Sequence, residues 1–345
     1  MKKLKWIILF LTLLILFGII AFMKGKGTPS LTLIGNESIH LEVGQEYQEE
    51  GFKAKDKNGN DISKSVEIVD DTEYDKAGMY QRKYKLEVNG KKIEKIRTVQ
   101  IEEVKVPVWK DTYQNIDNTK KGWWSGNKKD GTRPLGGEKA EELLKYNAYF
   151  LGPDEKVIYL TFDEGSNDTY MKEIVDVLNA NKVKATFFLC RRYILDNPDL
   201  MRNLAKNGHS VGNHTANHLT MPMYAEKDGF TKYLKEITSV EDAFYSVTGK
   251  KMDKVYREPR GDWSFRSLAI MKDLGYKSYF WSADYLDWDG TVTKEYAFKE
   301  LKKRVHNGAI YLIHPKNKGN YEALELFIKA MKQEGYTFDL VKNIK

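Results

Sequence analysis

The C-terminal half of the chain alternates between short apolar runs and longer amphipathic stretches. The apolar runs have the length of buried strands and lie at 157–162, 185–190, 209–213, 254–257, 277–282, 309–314 and 337–341. Stretches with helical periodicity separate them, at 169–181, 198–207, 230–247, 264–274, 294–305 and 319–334. Since consecutive β/α units with right-handed crossovers form parallel sheets, this pattern predicts an α/β domain built as a distorted (β/α)7 barrel.

Polar residues capable of chemistry follow five of these runs. They are Asp163 with Glu164, His214 with His218, Arg257, Asp287 and His314. The carboxyl ends of parallel strands meet at one face of a barrel, where barrel enzymes hold their active sites. The sequence therefore predicts that these side chains converge on one site.

The spacing of His214 and His218 would place two imidazoles on one face of a helical turn, which suits a divalent cation. A carboxylate is needed to complete a site of two histidines and one acidic residue, and either Asp163 or Glu164 is available. Such a site leaves positions open for water and a substrate carbonyl. Many histidine pairs with this spacing are structural, which remains the alternative, and His209 is interpreted as a structural residue in its strand.

Hydrolysis of an amide needs a base for the attacking water and an acid for the departing amine. Asp163 is the candidate base and His314 the candidate acid. Arg257 would pair with Asp163 and orient it, and Asp287 would keep His314 protonated. Each residue taken alone is compatible with an ordinary strand-end role, but the five together in this order favour metal-assisted hydrolysis.

The N-terminal segment of the chain indicates that the protein is exported. Trp6 to Met23 carries no charge, is long enough to cross a bilayer as a helix, and follows three lysines. We predict an uncleaved signal anchor within residues 1–29, hence a single-pass cell-membrane protein whose catalytic domain is extracytoplasmic. A cleaved signal peptide is the alternative.

Residues 30–106 are predicted to form a small all-β sandwich. Alternating runs are separated by turn signals, among them Asn89-Gly90, which indicates a hairpin. The order of these motifs resembles the bacterial immunoglobulin-like domains of surface proteins. Residues 107–153 are predicted to be a linker and N-terminal extension of the catalytic domain, which spans 154–345. Trp123 and Trp124 in the extension either line a sugar site or pack the extension onto the catalytic domain.

Charge and cysteine content exclude other classes. The net charge is +7, without a Lys/Arg cluster dense enough to suggest nucleic-acid binding. The single cysteine, Cys190, excludes an intrachain disulfide, and its apolar strand predicts an inert buried thiol.

Five motifs in the second half together resemble one enzyme family. They are Thr161-Phe-Asp-Glu-Gly165, His214-Thr-x-x-His218, Arg257-x-Pro-x-Gly261, Asp287-Trp288 and Leu312-x-His314. In order and spacing, over about residues 155–345, they resemble the NodB-homology polysaccharide deacetylases of carbohydrate esterase family 4. The resemblance implies a distorted barrel that removes acetyl groups from cell-wall glycans or chitin with a divalent metal, usually Zn²⁺.

The resemblance also implies a role for each matching residue. The implied catalytic residues are Asp163 (base), His314 (acid), Arg257 and Asp287; the implied metal ligands are His214, His218 and Glu164; Leu312 and Trp288 would contact substrate. Glu164 departs from the aspartate that is usual in the family. Because glutamate is one methylene longer, we expect weaker metal binding.

A narrower resemblance is to the muramic-δ-lactam-forming N-acetylmuramic acid deacetylases of spore-forming bacteria. It rests on Gly122-Trp, Arg133-Pro, Tyr146-x-Ala-Tyr-Phe-Leu-Gly152, Tyr256-Arg-x-Pro-Arg-Gly-x-x-Ser264 and Gly308-Ala-Ile-Tyr-Leu-Ile-His314. It implies action on peptidoglycan whose muramic lactyl group has lost its peptide, with a cell-wall amidase as a candidate partner. The freed amine then closes on the lactyl carboxylate to give the lactam of spore cortex.

Within that branch, Arg260 is expected to bind the lactyl carboxylate. Two other functions remain open: an N-acetylglucosamine deacetylase of vegetative peptidoglycan that gives lysozyme resistance, and a catalytically weakened glycan-binding protein. Activity on muramyl or glucosaminyl residues separates the two enzymes, and metal content with acetate release separates both from the binding protein.

Overall fold

A computed structural model describes residues 27–103, 107–126, 130–135, 140–164, 170–288 and 291–345. The chain divides into two compact units, Met1–Val106 and Pro107–Lys345. Over these described ranges, no helix combines the length and the apolar character needed to cross a membrane. The predicted membrane helix, Trp6 to Met23, lies outside the described residues.

The described part of the first unit is built from strands, with one short 3-10 helix at Ser63–Ser65. The strands are β1 (Ser30–Leu33), β2 (Ser38–Glu42), β3 (Phe52–Lys55), β4 (Glu67–Asp70), β5 (Gly78–Val88) and β6 (Lys91–Glu102). β1 pairs with β3, and the other four lie in the order β2-β6-β5-β4. Asn89 and Gly90, at φ 51° and 75°, form the predicted two-residue turn between β5 and β6.

The two sheets of this unit share an apolar core. Leu31 of β1 and Ala54 of β3 are buried in one cluster with Tyr84 and Leu86 of β5. Alternate residues of a strand face opposite sides of a sheet, so Tyr84 and Leu86 turn one face of β5 towards the small sheet. The unit is therefore a small β-sandwich.

The second unit alternates strands and helices. Its strands are β7 (Lys121–Gly122), β8 (Ala148–Tyr149), β9 (Val157–Glu164), β10 (Thr186–Leu189), β11 (Ser210–Asn213), β12 (Val255–Tyr256), β13 (Asp262–Trp263), β14 (Lys277–Tyr279), β15 (Ala309–Ile313) and β16 (Thr337–Phe338). Its helices are α1 (Ala140–Leu144), α2 (Met171–Ala180), α3 (Arg191–Asp196), α4 (Pro198–Lys206), α5 (Phe230–Thr248), α6 (Phe265–Asp273), α7 (Lys294–Lys303) and α8 (Lys318–Gln333).

Parallel pairing organises the main sheet of this unit. Its strands lie in the order β15-β9-β10-β11-β12-β14-β8, and β16 pairs with β9. Beyond the strands, Ala283 forms a parallel bridge to Tyr311, and Leu151 forms an antiparallel bridge to Ala309. These bridges bring the two ends of the sheet together, so the sheet is a curled half-barrel consistent with the predicted (β/α) barrel.

Each predicted strand run and each predicted helical stretch of the second unit contains an element of that type. Local signals set several helix boundaries. Before α6, the hydroxyl of Ser264 accepts from the amide of Ser267, and the hydroxyl of Ser267 accepts from the amide of Ser264, which is a capping box. The sequence did not predict α3 or β8, which are short. β8 places residues of the 107–153 extension in the main sheet, beside β14.

Gly308, before β15, and Gly275, after α6, provide a matched stability test. Both have positive φ (70° and 82°). A Cβ at Gly308 would lie 2.3 Å from the carbonyl oxygen of Pro153, whereas a Cβ at Gly275 would have no neighbouring atom within 4 Å. We expect Gly275→Ala to lower the free energy of unfolding by about 1 kcal/mol, from backbone strain alone. Gly308→Ala should cost about 2 kcal/mol more, since the Pro153 segment must also move. Urea unfolding of both variants measures the difference, and equal losses would contradict the close approach.

Candidate active site

A cavity of about 550 Å³ lies at the carboxyl ends of the parallel strands. Its lining includes Asp163, His214, His218, Arg260, Trp288, Leu312 and His314. The structure thus brings together seven of the ten residues that the sequence predicts for the site. The remaining three, Glu164, Arg257 and Asp287, are buried and do not belong to the lining.

A buried ion pair holds one residue of the cavity lining, Asp163, in place. Asp163 ends β9 with its neighbour Glu164, and Arg257 directly follows β12. Nη1 of Arg257 lies 2.7 Å from Oδ1 of Asp163 and donates to it. The side chain of Arg257 is fully buried, and its charge therefore needs compensation within the protein.

The rest of the guanidinium is also fixed. Its Nη1 donates to the hydroxyl of Thr161 (2.7 Å), Nε to the carbonyl of Tyr279 (2.8 Å) and Nη2 to the carbonyl of Phe280 (3.1 Å). The group also lies 4.3 Å from the centre of the Phe188 ring. Arg257 therefore joins the ends of β9, β12 and β14 and holds Asp163 in one orientation.

His214 presents one ring nitrogen to Asp163. Its Nδ1 lies 2.9 Å from the carbonyl oxygen of Arg257, which can only accept, so this nitrogen carries the proton. Nε2 is then left with its lone pair, 3.8 Å from Oδ2 of Asp163. Burial lowers the pKa of His214, which favours the neutral ring.

His218 lies against His214, with 4.9 Å between ring centroids. Burial, together with the neighbouring His214, lowers the pKa of His218 to about 4. The prediction of a helical turn is wrong, because Thr215 and His218 have left-handed φ values of 67° and 55°. The segment is a loop, shaped in part by Asn213, whose side-chain oxygen accepts from the amide of Thr215 (2.9 Å).

The predicted ligand set of His214, His218 and Glu164 is not brought together. In the part of the chain that the structure describes, no three His, Cys, Asp or Glu side chains form a group that could hold a metal. Glu164 follows Asp163 on one strand, and successive strand residues face opposite sides. The two neutral imidazoles are suitable ligands for a cation, and Oδ2 of Asp163 lies 3.8 Å from Nε2 of His214. The residues therefore fit a metal site in part: two histidines are present, but Glu164 does not join them.

His314 directly follows β15, the strand that pairs with β9 in the sheet. Its Nδ1 lies 2.8 Å from Oδ1 of Asp287, and its backbone amide donates to Oδ2 of the same carboxylate. Burial acts to lower the pKa of His314, but the hydrogen bond and negative charge of Asp287 outweigh it, so the pKa is raised. The protonated ring is favoured, with Nε2 free of this contact.

A set of amide hydrogen bonds that the sequence did not predict holds this pair. Nδ2 of Asn320 donates to the carbonyls of Asp287 (2.9 Å) and His314 (2.8 Å), and Nδ2 of Asn317 donates to the carbonyl of Asp287 (2.7 Å). The hydroxyl of Tyr285 donates to Oδ1 of Asn320 (2.9 Å). The sequence signal was weak, an Asn-x-x-Asn spacing at the start of α8 directly after the histidine.

Three predicted substrate-binding residues lie on the cavity wall. Leu312 is largely buried in β15, Trp288 is exposed, and Arg260 adopts a left-handed φ of 58°. Nη1 of Arg260 lies 3.4 Å from the hydroxyl of Thr220, a weak contact that leaves most of its donors available.

Two residues that the sequence assigned to structural roles are buried away from the cavity lining. His209 accepts from the amide of Ala185 through Nδ1 (3.2 Å) and contacts Asn179 through Nε2. Burial raises the pKa of the Cys190 thiol to about 12, which disfavours the nucleophilic thiolate.

Comparisons with known proteins agree with this arrangement. A family model described as "Polysaccharide deacetylase" matches residues 151–279, and one described as "Bacterial surface protein, Ig-like domain" matches residues 31–101. The peptidoglycan-N-acetylmuramic acid deacetylase PdaA of Bacillus subtilis is 37% identical, over 61% of this chain and 80% of that protein. A peptidoglycan-N-acetylglucosamine deacetylase of Bacillus cereus is 30% identical, over 59% of this chain and 94% of that protein.

A solved structure gives the same result. The structure of Bacillus subtilis PdaA, a family 4 carbohydrate esterase, superposes with a TM-score of 0.63 and 34% identity, covering 66% of this chain and 98% of that chain. The chain therefore belongs to the polysaccharide deacetylase family, carbohydrate esterase family 4, with an Ig-like domain before the deacetylase domain. The family resemblance read from the five motifs is confirmed, and the chain is a hydrolase of acetylated glycans.

Asn320 offers a test of how the acid is positioned. We expect Asn320→Leu to lower kcat by about tenfold with little change in KM, since small displacements of a catalytic group are costly. The Asp287–His314 pair would loosen, the pKa of His314 would fall, and the alkaline limb of the pH profile of kcat would move to lower pH. Measuring kcat and KM on an acetylated oligosaccharide across pH shows both effects.

Asn181→Leu is the matched control, because Asn181 is half-buried and its Nδ2 also donates to a backbone carbonyl, that of Val177 (2.8 Å). We expect this variant to leave the pH profile in place. A loss of stability in Asn320→Leu with an unmoved alkaline limb would contradict the positioning role.

Proposed function

We propose that this chain removes the acetyl group from N-acetylmuramic acid in peptidoglycan, and that the freed amine closes to the muramic-δ-lactam of spore cortex. The observation that carries the proposal is the placement of Asp163, His314 and Arg260 around one cavity: a base, an acid and a cation for the lactyl carboxylate. The relative PdaA, an N-acetylmuramic acid deacetylase, supports the choice of sugar.

In this proposal the base and the acid act at different atoms of the acetamido group. Asp163 takes a proton from the attacking water through Oδ2, while Arg257 keeps Oδ1 and prevents rotation. His314 gives a proton from Nε2 to the departing amine nitrogen, while Asp287 holds Nδ1. Leu312 provides an apolar wall for the acetyl methyl group. Acetate and the free amine are the products.

A divalent cation, for which two imidazole ligands favour Zn²⁺, would polarise the amide carbonyl when bound. His214 and His218 are the residues that would hold it, with Asp163 or Glu164 as the acidic ligand. Glu164 would have to turn towards the cavity to contribute. We therefore expect weak metal affinity.

The remaining proposals concern location and partners. The apolar segment from Trp6 to Met23 supports a single-pass membrane anchor with the deacetylase domain outside the cytoplasm. The Ig-like domain would act as a spacer towards the wall. A cell-wall amidase would supply the substrate, because the lactyl carboxylate is free only after the peptide has been removed.

A second candidate is deacetylation of N-acetylglucosamine in vegetative peptidoglycan. The Bacillus cereus relative, whose length is 94% covered, acts on that sugar and favours this alternative. The two candidates share the same base and acid and differ in what the Arg260 side of the cavity contacts.

Acetate release tests the reaction itself. We expect the full chain, given added Zn²⁺, to release acetate from peptide-free peptidoglycan and to generate muramic lactam by mass. Asp163→Asn should reduce the rate by at least about 10³-fold, because the variant lacks the base. Acetate only from glucosaminyl residues would favour the second candidate. No acetate and no bound metal in the folded protein would favour a glycan-binding protein.

Arg260 tests the choice of sugar. We expect Arg260→Ala to lower kcat/KM on muramyl substrates by about 10- to 100-fold, because a charge-assisted hydrogen bond is lost. The kcat/KM on chitooligosaccharides should change little. Arg192→Ala is the matched control, since Arg192 is an exposed arginine of α3 paired with Asp196. Equal losses on both substrates would refute a role for Arg260 in binding the lactyl group.

A further inference from the structure

The two adjacent tryptophans of the N-terminal extension have different environments. Trp123 is buried, stacked on Phe280 with 4.3 Å between ring centroids, and its Nε1 donates to the carbonyl of Trp281 (3.0 Å). Its role is therefore packing. Trp124 is 71% exposed, so packing does not explain it.

The backbone on both sides of Trp124 is tied to the wall of the catalytic cavity. The amide of Trp123 donates to the carbonyl of Gly261 (2.7 Å), and the hydroxyl of the buried Ser125 donates to Oδ1 of Asp284 (3.3 Å). Gly261 and Asp284 both line the cavity, as does Trp281 beneath Trp123. Trp124 is therefore held at the rim of this cavity by its two neighbours.

The approach of this segment to the wall is close. Gly261 has a φ of 67°, and a Cβ there would lie 2.9 Å from the ring of Trp281 and 3.1 Å from Cβ of Trp123. The absence of a side chain at Gly261 thus lets the extension lie directly on the wall. The rim position of Trp124 is consequently set by packed neighbours rather than by a free loop.

Exposed tryptophans gather at this cavity. Among the described tryptophans, Trp109, Trp123, Trp263 and Trp281 are buried or half-buried, and the two that are exposed are Trp124 and Trp288. Trp288 lines the cavity, and Trp124 lies between Trp123 and Ser125, which are hydrogen-bonded to the lining residues Gly261 and Asp284. A single exposed apolar residue is ordinary, but two exposed indoles at one catalytic mouth point to a ligand with apolar faces.

We propose that Trp124 forms a saccharide subsite beside the catalytic cavity and stacks on a pyranose ring next to the sugar that is deacetylated. This inference rests on the proposed glycan deacetylation and extends it to a neighbouring sugar. The C–H face of a pyranose is apolar, and an indole offers a large, rigid apolar surface at low entropic cost. A polymeric glycan continues beyond the single cavity, so a rim contact adds affinity that a monosaccharide cannot obtain.

Equilibrium binding to the full chain tests the subsite without turnover. The probes are peptide-free glycan strands, chitotetraose and the monosaccharide N-acetylglucosamine, measured by titration calorimetry. We expect Trp124→Ala to weaken binding of the strands and the tetraose by about threefold to tenfold, the range for one aromatic contact, and to leave the monosaccharide unchanged. Trp124→Phe should retain most of the affinity.

Leu135→Ala is the matched control, because Leu135 is an exposed apolar residue of the same extension. Neither variant should change the thermal unfolding temperature. Unchanged binding of the oligosaccharides to Trp124→Ala, an equal loss for the monosaccharide, or no binding of strands to the wild-type chain would each overturn the subsite. Binding with the expected losses but without acetate release would retain the subsite and refute the proposed deacetylation.

Discussion

The site depends on the buried pair of Arg257 and Asp163. A guanidinium with no access to water is stable only if its donors and its charge are compensated, and here one carboxylate, one hydroxyl and two carbonyls do so. These acceptors come from β9, from β14 and from Phe280 directly after β14, whereas Arg257 itself follows β12. The same contacts that make the cation tolerable therefore also fix the curvature of the sheet end and the orientation of Asp163. Folding of this region and orientation of Asp163 therefore depend on the same contacts.

In a second pair, Asp287 with His314, the buried partner is the anion and the residue that faces the cavity is the imidazole. In the first pair a permanent cation stands behind a carboxylate, and in the second a carboxylate stands behind an imidazole. The first arrangement fixes the orientation of a carboxylate, and the second raises the pKa of an imidazole and favours its protonated form. The Arg257–Asp163 pair lies at the ends of β9 and β12, and the Asp287–His314 pair lies in the segment after β14 and at the end of β15. Each of Asp163 and His314 thus has its own charged partner.

The sequence predicted most elements of the second unit and seven cavity residues because both follow from local pattern. Period and turn chemistry mark the strands, and strand ends of a parallel sheet must meet. It failed where conformation depends on distant partners. The loop from His214 to His218 is held partly by Glu236 of α5, whose backbone carbonyl accepts from the amide of Ala216 (2.9 Å) and whose carboxylate accepts from the amide of Asn217 (2.8 Å). Asn320 reaches the Asp287–His314 pair from the first turn of a helix. The sequence motif also did not predict the position of Glu164. Because β9 continues to Glu164, this side chain faces the opposite side of the sheet from Asp163.

The extension from Pro107 to Pro153 packs onto the deacetylase domain without supplying any of the residues proposed for catalysis. Arg133 donates to the carbonyls of Gly152, Pro153 and Asn307, and β8 pairs with β14, so this segment is part of the folded unit. Asp163 and His314 are held by residues outside the cavity lining, such as Arg257 and Asp287. The rim, in contrast, is built from the extension and from exposed side chains such as Trp288. We therefore expect changes at the rim to alter glycan binding while Asp163 and His314 keep their geometry.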